Sequence, residues 1–190
     1  DPEEVSDFIL MDDPRHRAFR LLVAKRFTPA ALRQLEKHFA DLSHQFASEF
    51  STELAETGSR GETTDFVKGF AEKLPLAAIG ELMGVPDGDW RRLKQITNVR
   101  IGAPEKDFVH EGEERTAGVV GAMDEMTDYM IDLIGDRQAK GPGGDDLSTQ
   151  LIRSTIDGEP LTEQQLQGYL FVILAAGNET TQNAISGGVA

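Results

Sequence analysis

Cysteine is missing from all 190 residues, which removes disulfides and thiolate metal sites from the chemistry this stretch can do. Tryptophan occurs once, tyrosine twice, and 19 Lys and Arg face 33 Asp and Glu. The net charge of −14 repels phosphate backbones and anionic lipid surfaces, which argues against nucleic acid or a membrane surface as the main partner. No apolar run approaches the roughly 20 residues needed to span a bilayer. With no signal peptide at the start, the cytoplasm is the expected compartment. Strand-type alternation, internal repeats and low-complexity tracts are missing as well.

What remains is a composition that folds: 39% hydrophobic and 27% charged residues, enough to bury a core. The chain begins at Asp1 without an initiator methionine and stops at Ala190 in a segment patterned as helix, with no stop signal before it. A piece of a longer protein is expected, organised as one domain over residues 1–190.

The pattern is helical almost throughout. Asp13-Pro14 and Thr28-Pro29 each pair an N-cap residue with proline at the first helical position. The first opens a helix to about Arg26. The second opens a long one to about Ala55, with Leu32, Leu35, Phe39, Leu42, Phe46 and Phe50 as its stripe. A loop follows from Thr57 to Thr63. FVKGFAEKLPLAAIGELMGVP divides at Pro75 and closes at Gly84 and Pro86. Further helices are expected from about Asp87 to Val99 and from about Asp107 to Ala139, separated by a break at Gly102-Ala103-Pro104. Asp146 can cap a short helix, DGEP is a turn, and Thr162 with Gln165 forms a capping box for the last helix. The chain reads as mainly α.

Two stretches carry possible chemistry. In MDDPRHRAFRLLVAKRFTP, His16 and Arg20 stand one helical turn apart, so an imidazole and a guanidinium share a face suited to carboxylates. The plainer alternative is a solvated polar face. In FVILAAGNETTQNAISG, Gly177 to Thr181 fall where a helix should be most buried, although glycine weakens a helix by roughly 1 kcal/mol relative to alanine. A threonine hydroxyl here can bond back to the carbonyl four residues earlier. Gly177 leaves its backbone open to approach, and Glu179 is a candidate proton relay whose pKa burial would raise. Alternatively, the helix ends at Gly177.

Weaker constellations are His38, Asp41 and His44, as a possible metal group, and His110, as a surface residue. Met123, Met126 and Met130 read as packing.

In this order, the two stretches resemble bacterial cytochromes P450, haem-thiolate monooxygenases, and the resemblance covers essentially the whole chain. LAAGNETT matches the family pattern Ala/Gly-Gly-x-Asp/Glu-Thr at Ala176 to Thr180. A narrower likeness, through DPEEVSDF, MDDPRH and AAGNETTQNAISGGVA, is to actinobacterial hydroxylases of sterol side chains and methyl-branched lipids. The resemblance implies a partial P450 fold that stops before the haem-ligand loop. It implies haem b as cofactor, with His16 and Arg20 on its propionates and Ala176 and Gly177 leaving room above it. Thr180 would hydrogen-bond bound oxygen, and Glu179 would relay protons. Phe8, Ile9, Val172 and Ala175 become candidates for lining an apolar pocket.

Implied partners are a hydrophobic small-molecule substrate, a ferredoxin and its reductase, with electrons ultimately from NAD(P)H. The family's cysteine ligand is absent here, so the chain alone is expected to be inactive. The alternative reading is a non-catalytic helical module that binds a small hydrophobic ligand or a partner helix.

Overall fold

The computed structural model describes residues 8–101 and 113–189. The expected break at Gly102-Ala103-Pro104, the helix start near Asp107 and the surface position of His110 lie outside the described residues. Two compact units divide the chain: Asp1–Val23 with Gly80–Ala175, and Ala24–Ile79 with Ala176–Ala190.

The elements in chain order are α1 (Arg15–Val23), α2 (Pro29–Ser59), α3 (Lys73–Met83), α4 (Trp90–Ile101), α5 (Glu113–Lys140) and α6 (Leu147–Ile152). A small antiparallel hairpin, β1 (Thr155–Ile156) with β2 (Glu159–Pro160), precedes α7 (Glu163–Gly187).

The first unit packs α4, α5 and α6 around Leu93, Met126, Met130, Leu147 and Leu151, all at 1% exposure or less. Full burial of each such side chain contributes about 1.5–3 kcal/mol. Met126 and Met130 therefore pack as expected, whereas Met123 is 44% exposed. Helix ends are set by local chemistry. Asp146 caps α6 by accepting from Thr149 N at 2.8 Å. At α7, Thr162 Oγ1 accepts from Gln165 N at 3.2 Å while Gln165 Oε1 accepts from Thr162 N at 2.9 Å. That reciprocal pair satisfies two amides the first turn cannot bond internally.

Gly84, just past α3, has φ +75°. Its amide bonds Glu81 O and the Val85 amide bonds Gly80 O, at 3.0 and 2.8 Å, the paired closure that favours glycine at this position. Arg137 Nη2 donates to Gly84 O, while its Nε lies 3.2 Å from Asp146 Oδ2, within ion-pair range but not aligned as a hydrogen bond. One arginine thus ties the ends of α3 and α5 to the start of α6.

The second unit is thinner. Thr28 Oγ1 accepts from Ala31 N at 3.3 Å, and Pro29 opens α2 as expected. The α2 stripe is only half-buried, and Leu32 remains 42% exposed. Its best-covered contact is the ring cluster of Phe50, Phe66 and Phe70, with centroids 5.5 to 6.3 Å apart.

Four expectations change. α1 ends at Val23 and passes into a short 3-10 turn over Ala24–Phe27. α2 runs on to Ser59, with its reversal at Gly61, φ +72°. The division near Pro75 lies earlier, in a wide turn over Val67–Ala71 closed by Glu72 N to Val67 O at 3.0 Å. Pro75 itself sits in the first turn of α3, where its missing N–H leaves no gap. Finally, DGEP is the turn of a true hairpin. Asp157 and Gly158 take φ 55° and 88°, the left-handed pair of a tight strand reversal. Two-residue strands are too short to show as alternation.

Candidate functional site

In the first unit, α1 is held by Phe19 and Val23, 1% and 7% exposed. His16 is half-buried and Arg20 exposed. Burying Phe19 fixes the rotation of α1, which in turn sets the faces on which His16 and Arg20 stand. His16 Nδ1 lies 3.0 Å from the carbonyl oxygen of Phe8, in the 3-10 turn Phe8–Leu10. Arg20 makes no ion pair among the described residues, so its fork of donors is uncommitted.

Tyr169 of α7 stands next to this pair. Its hydroxyl donates to Phe19 O at 2.8 Å, and its ring stacks on Phe19 and packs 4.5 Å from Phe8. Burial pushes the Tyr169 phenol up to about 12, partly offset by the Arg20 charge. Tyr169 was not among the sequence candidates. Its one signal is its place in the apolar run of α7, which does not reveal a partner 150 residues away.

In the second unit, α7 continues unbroken through Gly177 to Gly187, so the alternative in which the helix ends at Gly177 does not hold. Thr180 Oγ1 donates to Ala176 O at 2.6 Å, the back-bond expected of a mid-helix threonine. A Cβ on Gly177 would lie 2.8 Å from Ile79 Cδ1; its missing side chain lets α3 pack close. Ala176, Glu179 and Thr180 are exposed. The buried carboxylate expected at Glu179 is therefore corrected: its helical position turns it away from the packed face.

Asn178, which the sequence did not single out, is the buried polar residue, 2% exposed with Oδ1 unpartnered among the described residues.

The four pocket-lining expectations fall in the first unit. Ile9 is 60% exposed, Val172 is buried at 8%, and Phe8 and Ala175 are half-buried. Phe8 places its ring against Tyr169 and His16, at 4.5 and 6.0 Å. His38, Asp41 and His44 lie exposed along α2. Among the described residues, no three His, Asp or Glu side chains gather to hold a metal. No described helix is long and apolar enough to cross a membrane.

As a donor set, His16 and Arg20 fit a ligand bearing two carboxylates, such as haem: an uncommitted guanidinium and, one turn away, an imidazole whose Nε2 donates when the ring is protonated. No side chain of this chain supplies a thiolate.

No protein-family model matches the chain. It is 33% identical over 98% of its length to a Bacillus spizizenii protein named cytochrome P450 109, and covers 44% of that relative. A Mycobacterium tuberculosis methyl-branched lipid omega-hydroxylase is 32% identical over 98% of the chain, which covers 41% of it. Among solved structures, a Mycobacterium marinum cytochrome P450 in complex with pseudoionone superposes with a TM-score of 0.84 and 25% identity. That match covers 97% of this chain and 42% of the other.

The mainly helical fold and the sequence likeness along nearly the whole chain both run to one group of proteins, the cytochromes P450. The chain is similar to them over 98% of its own length. It spans about two fifths of the length of the curated relatives it matches.

Proposed function

We propose that this chain forms the propionate-anchoring and oxygen-side helices of a haem-thiolate monooxygenase that hydroxylates a hydrophobic substrate. Haem b, when bound and reduced, supplies dioxygen activation. Electrons come from NAD(P)H through a ferredoxin reductase and a ferredoxin. The named relatives favour a lipid-like substrate, in keeping with the methyl-branched lipid omega-hydroxylase among them. The thiolate comes from outside these 190 residues, and without it this stretch is inactive.

His16 and Arg20 hold the two propionates by charge-assisted bonds. The Thr180 hydroxyl donates to the Ala176 carbonyl, so its oxygen lone pairs remain available as acceptors. Glu179, exposed on the same turn of α7, exchanges protons with water and passes them toward that hydroxyl. Ala176, exposed on that turn, contributes little bulk there, whereas the space beside Gly177 is taken by Ile79 and not by the cofactor. Ile9, Val172 and Ala175, with the ring of Phe8, contribute apolar surface toward the substrate.

The observation that carries this reading is the unbroken α7 with the Thr180 to Ala176 back-bond. It provides a threonine oxygen as acceptor on the exposed turn that also holds Glu179. In the full-length enzyme, Thr180→Ala should divert reducing equivalents from product to hydrogen peroxide. Unchanged coupling between cofactor oxidation and product formation would overturn the role of Thr180.

A further inference from the structure

The contact between His16 and Phe8 constrains more than the position of a ring. A carbonyl oxygen only accepts, so with Nδ1 3.0 Å from Phe8 O the hydrogen of that bond sits on Nδ1. The neutral imidazole then has only a lone pair at Nε2. A second N–H exists at Nε2 only when the ring is doubly protonated.

The carbonyl is held in place from behind. The Phe8 ring packs 4.5 Å from Tyr169, which is 1% exposed and fixed by its hydroxyl on Phe19 O at 2.8 Å. His16 is therefore set by a buried tyrosine through a backbone carbonyl, not by its own rotamer alone.

We propose that Phe8 and Tyr169 are positioning residues that commit His16 Nδ1 to the Phe8 carbonyl. His16 then meets a carboxylate through Nε2 only as the imidazolium, so that carboxylate binding at the His16–Arg20 pair takes up a proton from solvent. The proposal rests on the reading of this pair as a propionate anchor. It deepens that reading by assigning the charge state of one member.

The charges that bear on His16 come mostly from its own helix and the approach to it. Arg15, Arg17 and Arg20 lie on α1, and Asp12 and Asp13 precede it. The turn Phe8–Leu10 and α6, both packed against α1, carry no titratable side chain. α7 brings Tyr169, which stays neutral through the range in which histidine titrates. Among the described residues, a carboxylate arriving at Nε2 therefore brings a partner of opposite charge beyond the two aspartates at the helix start. Arg20, with a charge that does not titrate, contributes affinity but no proton uptake.

The test uses the full-length protein with ring-labelled histidine and zinc protoporphyrin, a diamagnetic probe bearing the same two propionates. Nitrogen chemical shifts of His16 in the unloaded protein should report the Nδ1–H tautomer once the ring is neutral. On loading with the probe, they should report a doubly protonated ring. Phe8→Ala should return the unloaded ring to the Nε2–H tautomer, and Phe8→Tyr should keep it on Nδ1.

Calorimetry of probe binding in buffers of different ionisation enthalpy, at a pH where the free ring is neutral, should show proton uptake that His16→Gln abolishes and Arg20→Gln retains. An Nε2–H tautomer in the unloaded wild type, or uptake unchanged by His16→Gln, overturns the proposal while leaving the anchor intact. Probe binding unaffected by both substitutions overturns the anchor reading, and the proposal falls with it.

Discussion

Gly177 and Asn178 explain at the residue scale why α7 carries poor helix formers just past its buried apolar run. The packed face of α7 in the second unit receives Ile79 against the missing side chain of Gly177, and it buries Asn178. The opposite face leaves Glu179 and Thr180 exposed. Glycine costs roughly 1 kcal/mol of helix stability, and close helix packing offsets it. Gly177→Ala should therefore be nearly neutral, because the nearest atom is the mobile tip of Ile79 and alanine restores propensity. Gly177→Val should destabilise the protein by about 1–3 kcal/mol through overpacking. That loss should shrink when combined with Ile79→Ala. Denaturant unfolding of the four proteins measures the coupling, and additivity to within about 0.5 kcal/mol would show that the two residues do not meet.

At the scale of elements, what could be read from sequence was what is local. The caps at Thr28, Asp146 and Thr162 depend on residues within three positions of each other, and the structure places each as the pattern predicts. The Thr180 back-bond spans four residues and was equally readable. Non-local ties were not: Arg137 to Gly84 spans 53 residues, and Tyr169 to Phe19 spans 150. Nothing in residue type marks either end as a partner. The burial of Glu179 was misread for a related reason. Apolar composition shows that a helix is enclosed, but which neighbour covers which face is a tertiary property.

The tie between α1 and α7 has a measurable pH signature. Burial raises the Tyr169 phenol from 10 to about 12 in the folded protein, so the folded state keeps its proton where the unfolded chain loses it. By linkage, this stabilisation is complete below pH 10 and is lost as pH rises through 12. Tyr169→Phe should flatten that part of the stability-versus-pH curve relative to wild type. Parallel curves from pH 9 to 12 would mean that the phenol is not buried as described.

Over the whole molecule, the acidic surface and the site serve different ends. A net charge of −14 favours solubility and disfavours anionic partners at long range. The cluster Arg15, Arg17 and Arg20 on α1 is a local reversal of that field. In the proposed reading this chain contributes the propionate anchor and the oxygen-side helix, and no thiolate. The family likeness, the α7 motif and the His16–Arg20 pair all lead to one spectroscopic consequence. The full-length protein, loaded with haem, reduced with dithionite and exposed to carbon monoxide, should show the red-shifted Soret band of a thiolate-ligated ferrous carbonyl complex. A haem-free product, or a carbonyl complex with the band of a histidine-ligated haem, would contradict the account.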